Sequence, residues 1–244
     1  MKFNRKYLRI SLRGLLVAMT ITGVALGLYL KRVQDQIRAV AMIESLGGRC
    51  WYEFQLDENR IKLPESSEPS VMDRMRQLLG EHFFSNVVIV SLDEKAFTDD
   101  DVKLLVGLRH LKRLDLDGPK VTDATLKIIG RMQRLEELYL FDTLVTDDGL
   151  KDISKLDRLT GLSLSVSRIT DDGIARLQSL AALEQLYLSH NTISDEGIQY
   201  LSVLPSLQSV EAYNTNVTSV GAAALPGAKL RFGSSAVASP LRSR

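Results

Sequence analysis

At 244 residues, 45% of them hydrophobic, and with a formal net charge of +1, the chain is ordinary in bulk, but its charge is unevenly placed. Residues 1 to 38 carry eight Lys/Arg against Asp35 alone, a net of +7, whereas residues 84 to 227 carry 14 basic against 21 acidic residues, a net of −7. An acidic body lacks the Lys/Arg surface that phosphate contacts demand, which excludes nucleic acid as the expected partner.

Residues 1–13 are a basic start. Residues 14–30, GLLVAMTITGVALGLYL, are 17 residues without a charge, close to the lower limit for crossing a bilayer. Lys2, Arg5, Lys6, Arg9 and Arg13 before the run outnumber Lys31 and Arg32 after it. That asymmetry predicts a single span with the N-terminus in the cytoplasm and the rest of the chain exported. A cleaved signal peptide, with a small-residue site near Ala25 and Gly27 and a secreted product, is the second reading. The apolar run continues through Leu28, Tyr29 and Leu30 into a helical segment, which favours a retained anchor. A buried N-terminal helix is the third reading, and the flanking charge speaks against it.

Residues 31–83 read as a juxtamembrane helix and a cap. Val33, Ile37, Val40, Ile43 and Leu46 predict a helix that Gly47-Gly48 stops. CWYEFQL, residues 50–56, reads as a strand, DENRIKLPESSEPS as a loop, and residues 71–84 as a further helix. Trp51, Tyr52, Phe83 and Phe84 are the expected packing residues of this cap, which would hide the apolar edge of the domain that begins at residue 84. Cys50 is the single cysteine, so no intramolecular disulfide can form, and it is expected to be a small buried residue.

From residue 84 to 227 the chain repeats itself every 24 residues, six times. One column holds Phe84, Leu108, Met132, Leu156, Leu180 and Leu204; another holds Val90, Leu114, Leu138, Leu162, Leu186 and Val210. A fixed period of this length is the signature of a solenoid, in which each unit buries its apolar edge against its neighbours. Within a unit the spacing changes once: LxxLxL, as at residues 135–140, ends in the alternation of a short strand, and Leu150, Ile153 and Leu156 then fall three apart, as on a helix. The expected fold class is therefore α/β, short parallel strands backed by helices. Residues 228–244 should add one last strand through Leu230 and Phe232 and then a solvated tail.

Between strand and helix the chain writes VTDDGL at 145–150, ITDDGI at 169–174 and ISDEGI at 193–198. A helix begins there with unpaired N–H groups, so Thr122-Asp123, Thr146-Asp147, Thr170-Asp171 and Ser194-Asp195 are expected as helix caps. An acidic ladder holding calcium is the sharper but less economical reading.

The unit LxxLxLxxTxVTDxGLxxLxxL resembles the leucine-rich repeat, in the ribonuclease-inhibitor-like variety with T-D-x-G-L opening the helix. That resemblance covers about 144 of the 244 residues. It implies an arc with strands on the concave side and helices on the convex side. The Asn column of many such repeats here holds Lys95, Pro119, Thr143, Ser167, Asn191 and Thr215, so a continuous Asn ladder is absent. The basic start, single span and helix ending in Leu-Gly-Gly also resemble bacterial membrane-anchored leucine-rich-repeat proteins, a resemblance that implies an architecture and no activity.

No GxSxG, P-loop, HExxH or paired CxxC is present, so neither an enzyme nor a cofactor or metal site is expected. His110 shares a column with Arg134, Arg158, Ala182 and Ser206, which reads as solvent-facing, and His190 falls in a turn beside Asn191. The expected site is the concave face. Tyr139, Phe141, Tyr187 and Tyr213 would stand there among Arg113, Asp115, Asp117, Glu137 and Glu211, the residue types that anchor interfaces. The bland alternative is that aromatics suit strands and shield the sheet. Six strands about 4.8 Å apart give a face on the order of 25 to 30 Å wide, suited to a peptide or one edge of a protein, and the acidic residues would favour a basic partner. The expected function is non-catalytic protein or peptide recognition outside the cytoplasm. An architectural or self-associating envelope role is the alternative, and a cytoplasmic adaptor is a weaker third.

Overall fold

The computed structural model describes residues 12–56, 78, 80, 82, 85–92 and 97–234. Leu12–Ser45 form one helix, α1, so the apolar run and the juxtamembrane stripe are continuous. Its two halves differ sharply. Residues 14–28 are all exposed, including Leu16, Met19, Ile21 and Leu28. From Val33 onward, Gln36, Ala39, Val40, Met42 and Ile43 are buried, at the three-and-four spacing of a helix packed on one stripe. Gln36 Nε2 donates to the Ser85 carbonyl at 2.8 Å, and Arg32 hydrogen-bonds the Asn86 side chain. The helix stops where Gly47 adopts a φ of 68°, with Gly47 and Gly48 N–H groups donating to Glu44 and Ile43. By length and composition the segment from Gly14 is able to cross a membrane.

The strand expected over 50–56 is shorter: β1, Arg49–Tyr52, followed by a 3₁₀ turn at Glu53–Gln55. Tyr52 is buried, and Trp51 and Cys50 are half-buried. The expected loop at 57–70 lies outside the described residues, as do most of the expected helix at 71–84, with Phe83 and Phe84, and the end of the chain after 234; Leu78 and His82 are helical, but Gly80 between them is not, its φ of 87° interrupting the single helix expected there.

β1 pairs antiparallel with β2, Val87–Leu92, placing Arg49 opposite Ser91 and Trp51 opposite Ile89. Among the described residues every later pairing is parallel, and the eight strands run in chain order. They are β3 (Arg113–Asp117), β4 (Glu137–Phe141), β5 (Gly161–Ser165), β6 (Gln185–Tyr187), β7 (Ser209–Tyr213) and β8 (Lys229–Gly233). Between them lie α2 (Asp99–Leu105), α3 (Asp123–Ile129), α4 (Asp147–Ile153), α5 (Asp171–Ala175), α6 (Asp195–Tyr200) and α7 (Ser219–Ala224). Leu114, Leu138, Leu162, Leu186 and Val210 stand in register, 24 residues apart, all at or below 1% exposure. The last step, Val210 to Leu230, is shorter. One continuous apolar core joins Ile43 of α1 to Leu225, and with helices of only one to two turns it is stacking, not helix propensity, that holds each unit.

The TDDG phrase does more than cap. Thr146, Ser194 and Thr218 do accept an N–H from their own helix's first turn, whereas Thr170 makes no such bond. The aspartates instead reach the next unit. Asp123 accepts from Thr146 N at 2.9 Å and Thr146 Oγ1 at 2.7 Å. Asp147 takes Thr170 at 2.9 and 2.6 Å, Asp171 takes Ser194 at 2.9 and 2.6 Å, and Asp195 takes Thr218 at 2.7 and 2.6 Å. The Thr218 hydroxyl, then its N–H, hold the Asp195 carboxyl below its ordinary pKa.

Glycine completes the motif by leaving room. A Cβ at Gly149 would sit 2.5 Å from Asp123 Oδ1, one at Gly221 equally close to Asp195 Oδ1, and those at Gly173 and Gly197 closer still to Asp147 and Asp171. Where the column holds Thr125 instead, the fully buried hydroxyl takes over: it donates to Asp99 at 2.8 Å and accepts from Thr122 N at 3.2 Å. The ladder is therefore a chain of inter-unit clamps.

Candidate functional site

On β3 to β8 the side chains that alternate with the buried Leu columns form the sheet's open face. Register places Arg113, Glu137, Gly161, Gln185, Ser209 and Lys229 in one row, and Asp115, Tyr139, Ser163, Tyr187, Glu211 and Arg231 in the next. Asp117, Phe141 and Ser165 start a third row that Tyr213 and Gly233 close. All nine residues expected there lie on this face.

They are not equally connected. Arg113 Nε and Nη2 grip Asp115 at 3.0 and 2.9 Å, and Nη1 reaches Glu137 at 3.5 Å. The guanidinium carbon stands 4.5 Å from the Tyr139 ring centroid, and the Tyr139 and Tyr187 rings are 6.2 Å apart and tilted by 46°. Small residues make this possible: Ser163 lies between the two tyrosines in register, and a Cβ at Gly161 would already be 3.3 Å from Tyr139 Oη. Tyr187 Oη donates to Gln185 at 3.1 Å. Phe141 and Tyr213 are half-buried in the third row and join no ring pair with these two.

Two expectations change. The aromatics are half-buried rather than exposed, and Tyr139 packs against both Tyr187 and Arg113. The carboxylates are not free acids either: Asp115 and Glu137 pair with Arg113, and Glu211 with Arg231. Counting Arg49, Arg113, Lys229 and Arg231 against Asp115, Asp117, Glu137 and Glu211, the described face is balanced, not acidic. Arg49 lies 5.6 Å from the Trp51 ring, so β1 extends the same chemistry.

The electrostatics follow from this packing. Burial, then Glu137, pushes the Tyr139 phenol well above its ordinary range; burial, then Glu211, raises Tyr187. Burial works against the Arg113 charge, but the hydrogen bond and charge of Asp115 outweigh it and raise its pKa. At neutral pH Arg113 is thus a fixed cation beside two neutral phenols, Tyr139 and Tyr187, a group equipped to stack planar groups and donate hydrogen bonds.

Sequence reading missed Arg49, Gly161 and Arg231. Arg231 was hidden because the last step breaks the 24-residue period; the alternation in KLRFG was the available signal. His190 sits in its expected turn with a φ of 62°, and its Nε2 lies 3.1 Å from Asn214 Nδ2. His110 departs from expectation: it is half-buried in a cleft with Arg32 and Arg134. Asn191 fills the Asn column once, bonding Leu164 O, Leu188 O and Ile169 N.

A family model described as Leucine Rich repeat matches residues 182–202. Among solved structures, an internalin C2 from Listeria monocytogenes is 24% identical, with a TM-score of 0.42, the match covering 54% of this chain and 55% of that one. An internalin F from the same organism is 20% identical at a TM-score of 0.38, covering 56% and 44%. The Arabidopsis receptor kinase HAESA, in complex with the peptide hormone IDA and the co-receptor SERK1, is 16% identical at 0.43, covering 60% and 26%. The chain thus spans about half the length of these internalins. Comparison with curated proteins finds no match. Register and repeat columns define a solenoid of parallel strands and short helices with an N-terminal apolar helix, and residues 182–202 of it match the leucine-rich-repeat model.

Proposed function

We propose that this is a non-catalytic recognition module, anchored by residues 14–30 with its N-terminus in the cytoplasm and its repeats, 84–227, outside, that binds a protein or peptide on the open face. The observation that carries the reading is the Arg113–Tyr139–Tyr187 cluster, an arginine stacked on one of two paired tyrosines across an otherwise small-residue strand. Aromatic and arginine side chains with their flanks already packed lose little entropy on binding, which is what interface anchors require. Because Arg113 and Arg231 engage the carboxylates, a partner's own basic group would have to compete for them, so its stacking groups matter more than its charge.

The test is crosslinked capture from native membranes with the full chain beside a Tyr139→Ser, Tyr187→Ser variant. A partner held by the first and lost with the second, with both baits equally folded, supports the reading; identical capture by both overturns it, as does turnover of any substrate. The architectural alternative draws on β8, whose alternate residues are exposed along the last described strand. Capture of only the same chain by both baits would favour it.

A further inference from the structure

The turns that connect each helix to the next strand line one edge of the sheet, and α1 leaves the solenoid at that edge. Arg32 of α1 lines a cleft of about 440 Å³ together with Arg109 and His110 of the first such turn and Arg131 and Arg134 of the second. None of the described residues lining it is acidic. Arg109, Arg131 and Arg134 are exposed and make no ion pair among the described residues, while Lys112 beside them is paired with Glu136 at 3.3 Å. The field is strong enough to act on His110: burial, then Arg32 and Arg134, lower its pKa against the opposing Glu53.

Position says what such a cleft meets. Arg32 lies two residues beyond Leu30, the end of the apolar run, which is about 3 Å along a helix. Tyr29, Arg32 and Gln36 line a second, adjoining cleft with Ser85 and Asn86. α1 is unbroken from its exposed half into its packed half, so the solenoid cannot drift far from the end of that run. Basic residues on this edge also fade with distance from α1. The first three turns, 106–112, 130–136 and 154–160, carry Arg109, Lys112, Arg131, Arg134, Lys155 and Arg158, and the next two, 178–184 and 202–208, carry none. A solvated surface has no reason to grade its charge along identical units. A surface that faces anionic headgroups at one end does.

We propose that this cleft binds the phosphate of an anionic lipid headgroup, with Arg109, Arg131 and Arg134 as its ligands and Arg32 as its membrane-side wall. Several guanidinium groups converging on one site suit a phosphodiester's paired oxygens, and the site would fix how the repeats stand on the membrane. The inference rests on the membrane-anchored reading.

The full chain, purified in a neutral detergent and carrying isotope-labelled histidine, is titrated with short-chain phosphatidylglycerol, short-chain phosphatidylcholine and inorganic phosphate, following the His110 resonance. Phosphatidylglycerol should shift it with an affinity about tenfold or more above phosphatidylcholine, and an Arg109→Gln, Arg131→Gln, Arg134→Gln variant with an unchanged melting transition should lose that difference. Equal response to both lipids, or an unaltered response in the variant, overturns the site. Phosphate binding as well as phosphatidylglycerol overturns the lipid source. Alkaline washing of the chain from neutral vesicles tests the anchor separately: a chain that washes off yet passes the titration has an anion cleft, and the lipid assignment falls with the anchor alone.

Discussion

At the turns into the helices, four successive units place Asp against Thr or Ser at 2.6 to 2.9 Å in one unvarying arrangement. On the open face the same strands place Tyr139, Ser163, Tyr187 and Glu211 at one register position. Both sets are built on the same 24-residue step, so the step does not dictate the variety. Where the next unit must dock, each side chain has a partner one unit away and any change is felt twice. Where the strand faces outward, residues are free to differ, and a surface that differs along its length is able to specify a partner.

The largest expected effect lies on the invariant side. Gly173→Ala puts a Cβ where Asp147 Oδ1 stands, so Asp147 must release Thr170. The overpacking and the two lost bonds together should cost about 3 kcal/mol in denaturant unfolding. Adding Asp147→Ala should cost little more, since the clamp is already gone; strict additivity of the two changes would break the clamp explanation.

This division also marks what was legible from sequence. The solenoid was readable because Leu columns hold their spacing over successive units, and so was the face that each alternating residue occupies. The role of Asp123, Asp147, Asp171 and Asp195 was half legible: their position at helix starts was plain, but their partners lie 23 residues on, beyond the reach of any local capping rule. Thr125 shows why. Read alone it is a helix residue in a glycine column; only the folded chain shows its hydroxyl bridging Asp99 and Thr122. On the open face the residue types were readable, whereas the pairing of Arg113 with Asp115 and Glu137 was not, because side-chain direction within a row is settled by what the neighbouring strands leave empty.

Second in size is the open face. Tyr139→Ser with Tyr187→Ser removes two half-buried rings and the arginine stacking, and should cost about 2 kcal/mol, less than the single glycine change, while removing recognition. A loss larger than that of Gly173→Ala in the same unfolding assay would make the row part of the scaffold and end the distinction.

Smaller again is Val166, in the turn column with Gly118, Asp142, His190 and Asn214, all at positive φ. Its φ of 56° is one that a β-branched residue adopts only under strain. Val166→Asn should therefore stabilise the chain by about 1 kcal/mol, read as a raised unfolding midpoint. No gain would mean that packing of the half-buried Val166 side chain offsets its backbone strain.

The smallest effect is electrostatic and separates burial from charge on the open face. Tyr139 and Tyr187 both titrate above the ordinary tyrosine value when folded. Below that value, about pH 10, both folded and unfolded chains are neutral at these phenols and the full contribution to stability is present. As pH rises further the unfolded chain ionises first, so stability falls through the window up to the folded values. Tyr139→Phe should flatten that fall more than Tyr200→Phe does, because Tyr139 is raised first by burial and Tyr200 first by a hydrogen bond to Glu196 on the exposed helix side. Phenolate absorbance and unfolding midpoints, followed together across that range, read both. If the Tyr200 change flattens the curve as much as the Tyr139 change, carboxylate pairing rather than burial governs the phenols, and Tyr139 is as open to water as the outer face of a helix.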